Sequence, residues 1–447
     1  MNQSAAVGMS PRLRRIDEAK QRVLLVPDSI HWITGTIAKS IVAHNSWIEG
    51  TVISGPVLDI VARDYPAFFE SFDLVHFVCP YASRQWLPVL RNRLPIVTSH
   101  HHVGDDYELQ RHNLAGDAIV VGSMQWADDV VERGAPRERV ACIPYGVDAS
   151  RFVPAAEPMR RRLRESLGIA ADSVVVGFFA KRSSNERDRK GTDVFAGAVQ
   201  LLSRDLPDLA VLIIGPGWDD LVAQLEESGV KCVWLPFVRD AARMPEMFQV
   251  LDFYWITARI EGGPVTLLEG MSAGVCCITT PVGLAKELVE HGINGIVVGF
   301  NDSRAFAAET LKYSGRTAER ETIGMRARET ILATMDVPVT SQGVRKAYEI
   351  ASGHFESRTG QSRSGRSVGA SRLSPSMIYR IAVLEQLVWA EALMLQGQRP
   401  LALKMMSETW IKHPLSSLPP RFLLRNILPA RVVRALVRAK MRLAGAT

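Results

Sequence analysis

The sequence predicts an α/β protein with two open parallel-sheet units and a helical extension at its C-terminus. Three observations lead there. Short continuous apolar runs recur along the chain, such as residues 174–179 (VVVGFF) and 210–214 (AVLII), as strands buried on both faces require. Polar, glycine-containing turns and stretches of helical spacing alternate with those runs, the rhythm of doubly wound domains. The length of 447 residues leaves room for two or three domains with sizeable cores.

Composition narrows the class. With 53 basic and 47 acidic residues the formal net charge is +6, too mild to point to nucleic acid. The five cysteines (Cys79, Cys142, Cys232, Cys276 and Cys277) lie mostly in apolar runs without metal-ligand spacing. They read as reduced core residues of a cytoplasmic protein. Residues 1–20 read as a flexible lead; Arg12, Arg14 and Arg15 have no apolar run behind them, unlike a signal peptide. No stretch is apolar and long enough to span a bilayer.

The first unit, residues 21–150, opens with a strand at 22–26 (RVLLV) and a turn through Asp28, His31, Trp32 and Gly35. Further strands are expected at 51–54, 74–79, 95–99, 118–121 and 140–143. His100, His101 and His102 follow the fourth run. Three adjacent side chains do not converge on one point, so a metal site is not expected.

The second unit, residues 151–339, opens with the run 174–179, then a basic loop containing Lys181, Arg182, Arg187, Arg189 and Lys190 before a helix. A loop at a strand's carboxyl end with this many cations is suited to an anionic ligand. Strands are expected again at 210–214, 233–238, 250–256 and 277–280. Gly215-Pro216-Gly217 is no dinucleotide fingerprint, which needs a further glycine at a helix start.

The chain is organised around Glu261-Gly-Gly-Pro-Val-Thr-Leu-Leu-Glu269-Gly-Met-Ser-Ala-Gly274. Pro264 suits the first helical position, Val265, Leu268 and Met271 a packed face, and Gly274 the stop. The amides around Gly262 and Gly263 stand ahead of a helix N-terminus, a ready anion site. Acidic residues are favoured at helix starts anyway, but carboxylates on both sides of an anion site fit a ligand that also carries hydroxyls. Phosphate with sugar hydroxyls reads as a nucleotide sugar.

Glu, seven residues, Glu, then Thr279-Thr280-Pro281-Val282-Gly283 and Glu287, resembles the donor-site signature of retaining glycosyltransferases, most narrowly the GT-B family 4. The resemblance spans roughly residues 20 to 350 and is most specific over 252–298. It implies two Rossmann-like domains facing a cleft. It also implies transfer of a sugar from a UDP- or GDP-sugar to a glycan or lipid-linked acceptor, with the anomeric configuration retained. Residue by residue, it implies that Glu261 holds the donor sugar and Glu269 the ribose. Arg182 and Lys190, with Gly262, Gly263, Pro264, Val265 and Thr266, would meet the diphosphate and sugar, Lys181 being the alternative to Arg182. Phe237 and Val238 would meet the base, and His100, with His101 as alternative, would lie near the transferred sugar. Ile143-Pro144-Tyr145-Gly146-Val147-Asp148 resembles the family's interdomain segment, with tyrosine in place of the usual asparagine, and reads as a hinge.

No acidic pair suited to a metal stands in a fitting loop, so metal-independent chemistry without a further cofactor is expected. A helix at 340–352 would cross back onto the first domain. Residues 353–376, rich in Ser, Arg and Gly, read as a disordered linker. Residues 377–447 read as a helical hairpin followed by a basic amphipathic helix. Arg431, Arg434, Arg438 and Arg442 share a face there, so residues 421–443 read as a membrane-surface or partner-binding element on the cytoplasmic side. The alternative readings are a nucleotide-sugar epimerase or hydrolase of the same architecture, and a non-catalytic nucleotide-sugar-binding scaffold. A dinucleotide oxidoreductase is disfavoured by the missing glycine fingerprint.

Overall fold

The computed structural model describes residues 20–101, 111–182, 188–236, 238, 241–362, 373–395 and 398–412. The N-terminal lead, Phe237, the middle of the expected linker and the basic helix at 421–443 lie outside the described residues.

Two six-stranded, wholly parallel sheets carry the fold. The first contains β1 (Gln21–Leu25), β2 (Ile48–Val52), β3 (Leu74–Phe77), β4 (Ile96–His100), β5 (Ala118–Val121) and β6 (Val140–Cys142), in the order β2-β1-β3-β4-β5-β6. The second contains β7 (Val174–Phe179), β8 (Leu209–Ile214), β9 (Lys231–Leu235), β10 (Phe253–Ile256), β11 (Cys276–Thr279) and β12 (Ile296–Val297), in the order β12-β11-β10-β7-β8-β9. Strand order reverses between β1 and β3 in one sheet and between β7 and β10 in the other. Ligand crevices form at such points, beyond the strands' carboxyl ends.

The alternation of side chains across a strand explains why these runs are apolar throughout. Val175, Phe179, Leu212 and Ile214 point into one layer of the C-terminal core, while Val176, Phe178, Val211 and Ile213 point into the other. Asp252, just before β10, is buried and accepts from Arg160 (2.7 Å), Arg164 (2.8 Å) and the Val175 amide (2.8 Å). Arg320 adds a third ion pair at 3.0 Å. A carboxylate so buried persists because it is paired several times.

The helix that returns to the first domain is longer than its sequence indicates. Gly343–Thr359 buries Val344, Ala347, Tyr348 and Ala351 against the N-terminal sheet. It takes in residues 353–359, assigned above to a disordered linker. Phe355 is fully buried and Arg358 bonds Asp117 at 3.1 Å, so packing overrides a composition that reads as disordered. Gly360, at φ +68°, ends the helix.

The extension then forms two helices, Pro375–Leu395 and Arg399–Lys412. The first begins two residues inside the expected linker. It packs Ile381 and Leu384 against Val57, Leu58 and Val61 of the helix Gly55–Asp64. Among the described residues, no helix is long and apolar enough to cross a membrane.

Candidate functional site

The loops leaving β7 and β10 meet at the switch point of the C-terminal sheet. Thr257 Oγ1 donates to the Lys190 carbonyl at 2.8 Å, and the Arg259 amide to the Arg189 carbonyl at 2.7 Å. The Arg259 guanidinium grips Asp193 at 2.7 Å and the Asp188 carbonyl at 2.8 Å. Gly191 turns the chain at φ +64°, where a Cβ would also meet the Thr257 carbonyl at 2.0 Å. Stitched in this way, the loop delivers Lys190 Nζ to Glu261 Oε1 in an ion pair whose side chains are 32% and 19% exposed.

The glycine loop enters the helix Val265–Ser272 one residue later than its sequence indicates. Pro264 is the cap, with ψ 98°, rather than the first helical residue. Leu267, Leu268 and Met271 form the packed face. Val265, expected on that face, instead points with Glu269, four residues on, toward the cleft. Ala273 caps the helix, and Gly274 at φ +72° supplies the expected stop.

Glu269 is partly buried and ringed by protein, and this burial pushes its carboxyl up to about 8, with Arg151 opposing. Its proton is thereby held more tightly than an ordinary carboxyl's, whereas Glu261 is paired with a cation. The two acids at either end of this stretch are not chemically equivalent.

The N-terminal domain touches this loop directly. A Cβ on Gly262 would lie 1.5 Å from the His101 carbonyl oxygen, so only glycine allows this approach. Trp126 Nε1 donates to the Glu261 carbonyl at 2.9 Å, and the Gln125 amide to Glu287 at 3.2 Å. His101 Nε2 lies 2.6 Å from the Val78 carbonyl, while its Nδ1 meets the Tyr145 hydroxyl. A carbonyl only accepts, so Nε2 carries the proton and Nδ1 accepts from Tyr145. Burial lowers the His101 pKa, which keeps this ring neutral.

Two cavities flank Val265 and Glu269. One, of about 330 Å³, is lined by Lys181, Lys190, Glu261, Gly263, Thr266 and Ile33 of the first domain, among others. The other, of about 260 Å³ and largely apolar, lies on the hinge side beneath Tyr145, Phe152 and Met244.

Several expected site residues stand together here: Glu261, Lys190, Gly263, Pro264, Val265, Thr266 and Glu269, with Gly262 buried beneath them. Two stand elsewhere. Arg182 pairs with Asp220 and lies 5.5 Å over the Trp218 ring; it shares a cavity of about 1020 Å³ with Lys181 and Lys190 but does not line the 330 Å³ cavity at the glycine loop. Lys181, the alternative, is the cation that lines the 330 Å³ cavity beside Lys190. His100 is the last residue of β4 and is fully buried within the first domain, so His101 is the histidine at the glycine loop. Val238 is half-buried against the C-terminal core, and its neighbour Phe237 is not among the described residues. Sequence reasoning missed Trp126 and Ile33 and took Tyr145 for a hinge residue only. The signal for Tyr145 was present, as a tyrosine at a position where asparagine is usual.

Comparison with known proteins bears on the family and the fold. A family model described as Glycosyl transferases group 1 matches residues 174–314, and one described as Glycosyltransferase Family 4 matches residues 56–151. A lipopolysaccharide core biosynthesis mannosyltransferase of Rhizobium meliloti is 29% identical over 171 residues, 36% of this chain and 47% of the relative. A D-inositol 3-phosphate glycosyltransferase of Nocardia farcinica is 25% identical over 350 residues, 72% of this chain and 74% of the relative. The first matches span about half the length of the curated relatives. Among solved structures, the Anabaena protein HepE in complex with UDP-glucose superimposes with a TM-score of 0.61 at 19% identity, covering 76% of this chain and 100% of that one. A sucrose-phosphate synthase from Thermosynechococcus elongatus gives 0.60 at 14% identity, over 74% and 98%. The two family models together take in more than half of the chain and both domains, and the chain belongs to the group 1, family 4 glycosyltransferases with the two-domain GT-B fold.

Proposed function

We propose that the protein transfers a sugar, with retention of configuration and without a metal, from a nucleotide diphosphate donor to a glycan or lipid-linked acceptor. The observation that carries this reading is the convergence of Lys181, Lys190 and Glu261 on a glycine-lined helix tip whose next turn presents Glu269. Two cations and the helix amides match a diphosphate; the acids match hydroxyls on either side of it. The relatives support a nucleotide-sugar donor but leave its base open. HepE was solved with UDP-glucose, whereas a relative from Mycolicibacterium smegmatis is named a GDP-mannose-dependent mannosyltransferase.

In this reading the bond between the sugar's anomeric carbon and the diphosphate oxygen breaks as the acceptor oxygen attacks from the same face. The acceptor's proton passes to the departing phosphate oxygen. Lys181 and Lys190 hold the charge that develops on the leaving group, a preorganised electrostatic contribution that is usually the largest in such transfers. Glu261, already held by Lys190, receives the sugar hydroxyls; Glu269 faces the ribose; His101 lies beside the transferred sugar. Among the described residues, no three His, Cys, Asp or Glu side chains are grouped to hold a metal. No further cofactor is required by this scheme.

The test is a thermal-shift panel of UDP-, GDP- and ADP-sugars on the full chain, followed by product analysis with the preferred donor. The expected result is one donor class that raises the melting point, and an α-linked product from an α-linked donor, read by NMR. An isomerised free nucleotide sugar in place of a transfer product would instead favour an epimerase.

A further inference from the structure

The C-terminal extension reaches the mouth of the phosphate cavity, and it does so through one face of its first helix. On Pro375–Leu395, Glu385 and Trp389 are four residues apart and so point the same way. The Glu385 carboxyl is buried and accepts from the Ser54 amide at 2.6 Å, at the cap of the helix that follows β2. One turn on, Trp389 stacks on His31, with centroids 4.9 Å apart and 23° between planes. It also meets Trp32 edge-on at 6.0 Å and 88°. His31 and Trp32 belong to the turn that follows β1. The helix thus braces two adjoining loops on the ligand edge of the N-terminal sheet.

The turn is held from its other side too. Lys39 Nζ donates to the Ile30 carbonyl at 2.6 Å, and Asp28 accepts from the Ser29 amide at 2.7 Å and from the Thr34 hydroxyl. So fixed, the Trp32 ring receives the ammonium of Lys181 from the opposite domain, 4.3 Å from its centroid. Lys181 occupies this seat while lining the cavity that also contains Lys190 and Glu261. An ammonium has three donors on a flexible stem, so contact with a ring face leaves N–H groups free for a phosphate. Holding the stem beforehand lowers the ordering cost of binding.

We propose that Trp389 is a positioning residue for the donor site. It fixes Trp32, and the Trp32 ring presents Lys181 to the donor diphosphate. This makes the extension part of the donor-binding apparatus of this chain, and it rests on the reading of Lys181 given under Proposed function.

The experiment titrates the full chain calorimetrically with UDP and GDP, and with uridine and guanosine by displacement. Variants are Lys181→Ala, Trp32→Leu, Trp389→Leu, Trp389→Phe and the Lys181→Ala/Trp389→Leu double. For the tighter nucleotide, Trp32→Leu and Trp389→Leu are expected to raise Kd by about three- to ten-fold, the loss of one partly exposed cation–π contact. Trp389→Phe, which keeps a ring, should restore most of the affinity. The matching nucleoside, lacking phosphates, should bind all variants alike, and Trp389→Leu should cost nothing further once Lys181 is gone. Equal losses for nucleoside and nucleotide, or an undiminished Trp389 effect in the Lys181→Ala background, would overturn the proposal and leave a purely structural hairpin. If neither nucleotide binds, or Lys181→Ala leaves affinity unchanged, the donor-site reading itself fails, and this proposal falls with it.

Discussion

Lys190 and Glu261, 71 positions apart in the chain, form an ion pair that closes the two loops of the C-terminal switch point on each other. The pair keeps a cation in the cavity at the glycine loop and fixes the carboxylate that faces it. Lys190→Ala should weaken nucleotide diphosphate binding by about ten- to a hundred-fold, the range for a charge-assisted hydrogen bond. Glu261→Ala should leave UDP or GDP affinity near normal while lowering turnover with the complete donor. Calorimetry and single-turnover transfer on the two variants separate these effects. Equal loss of nucleotide affinity in both would remove the sugar role of Glu261.

Glu269→Ala should abolish detectable binding of the donor and of its nucleotide, because it removes the acid facing the ribose. Unchanged calorimetric affinity would remove that role.

The same residue makes stability depend on pH. Burial raises its folded pKa to about 8, above the ordinary carboxyl value of 4.5, so the native state binds the extra proton. Stability from this group is full below about pH 4.5 and is lost as pH rises toward 8. Glu269→Gln cannot ionise and should flatten that part of the profile. Denaturant midpoints measured across this window, without ligand, give the comparison; parallel profiles would contradict the burial of this carboxyl.

Gly262→Ala would place a methyl 1.5 Å from the His101 carbonyl oxygen. The domains must then part at the glycine loop. Turnover should fall on the order of a hundred-fold, as expected for reacting groups displaced by about an ångström. Nucleotide affinity should change far less, since Lys190 and Glu269 belong to the same domain and stay in place. Transfer kinetics beside calorimetry test the split.

Tyr145→Phe removes the hydroxyl that donates to His101 Nδ1 and leaves a buried acceptor unpaired. The cost should be about 1–3 kcal/mol. Chemical denaturation monitored by tryptophan fluorescence reads it, and a loss below a few tenths of a kcal/mol would show that the ring nitrogen finds another donor.

The sequence by itself determined the fold class, the strand runs, the glycine loop and the helix behind it. Those follow from periodicity and from residues such as Gly191 and Gly274, whose backbone angles few other side chains adopt. Only the tertiary structure decided which of two neighbours faces the cleft. His100 and His101 differ by one register step at the end of β4, and a step of one residue reverses a side chain's direction along a strand. Composition misplaced the end of the return helix because the burial of Phe355 is a long-range contact that local residue content does not record. The raised pKa of Glu269 and the reach of Trp389 to Trp32 likewise come from segments far apart in sequence. Their energetics depend on what the fold sets beside them, and no local pattern carries that information.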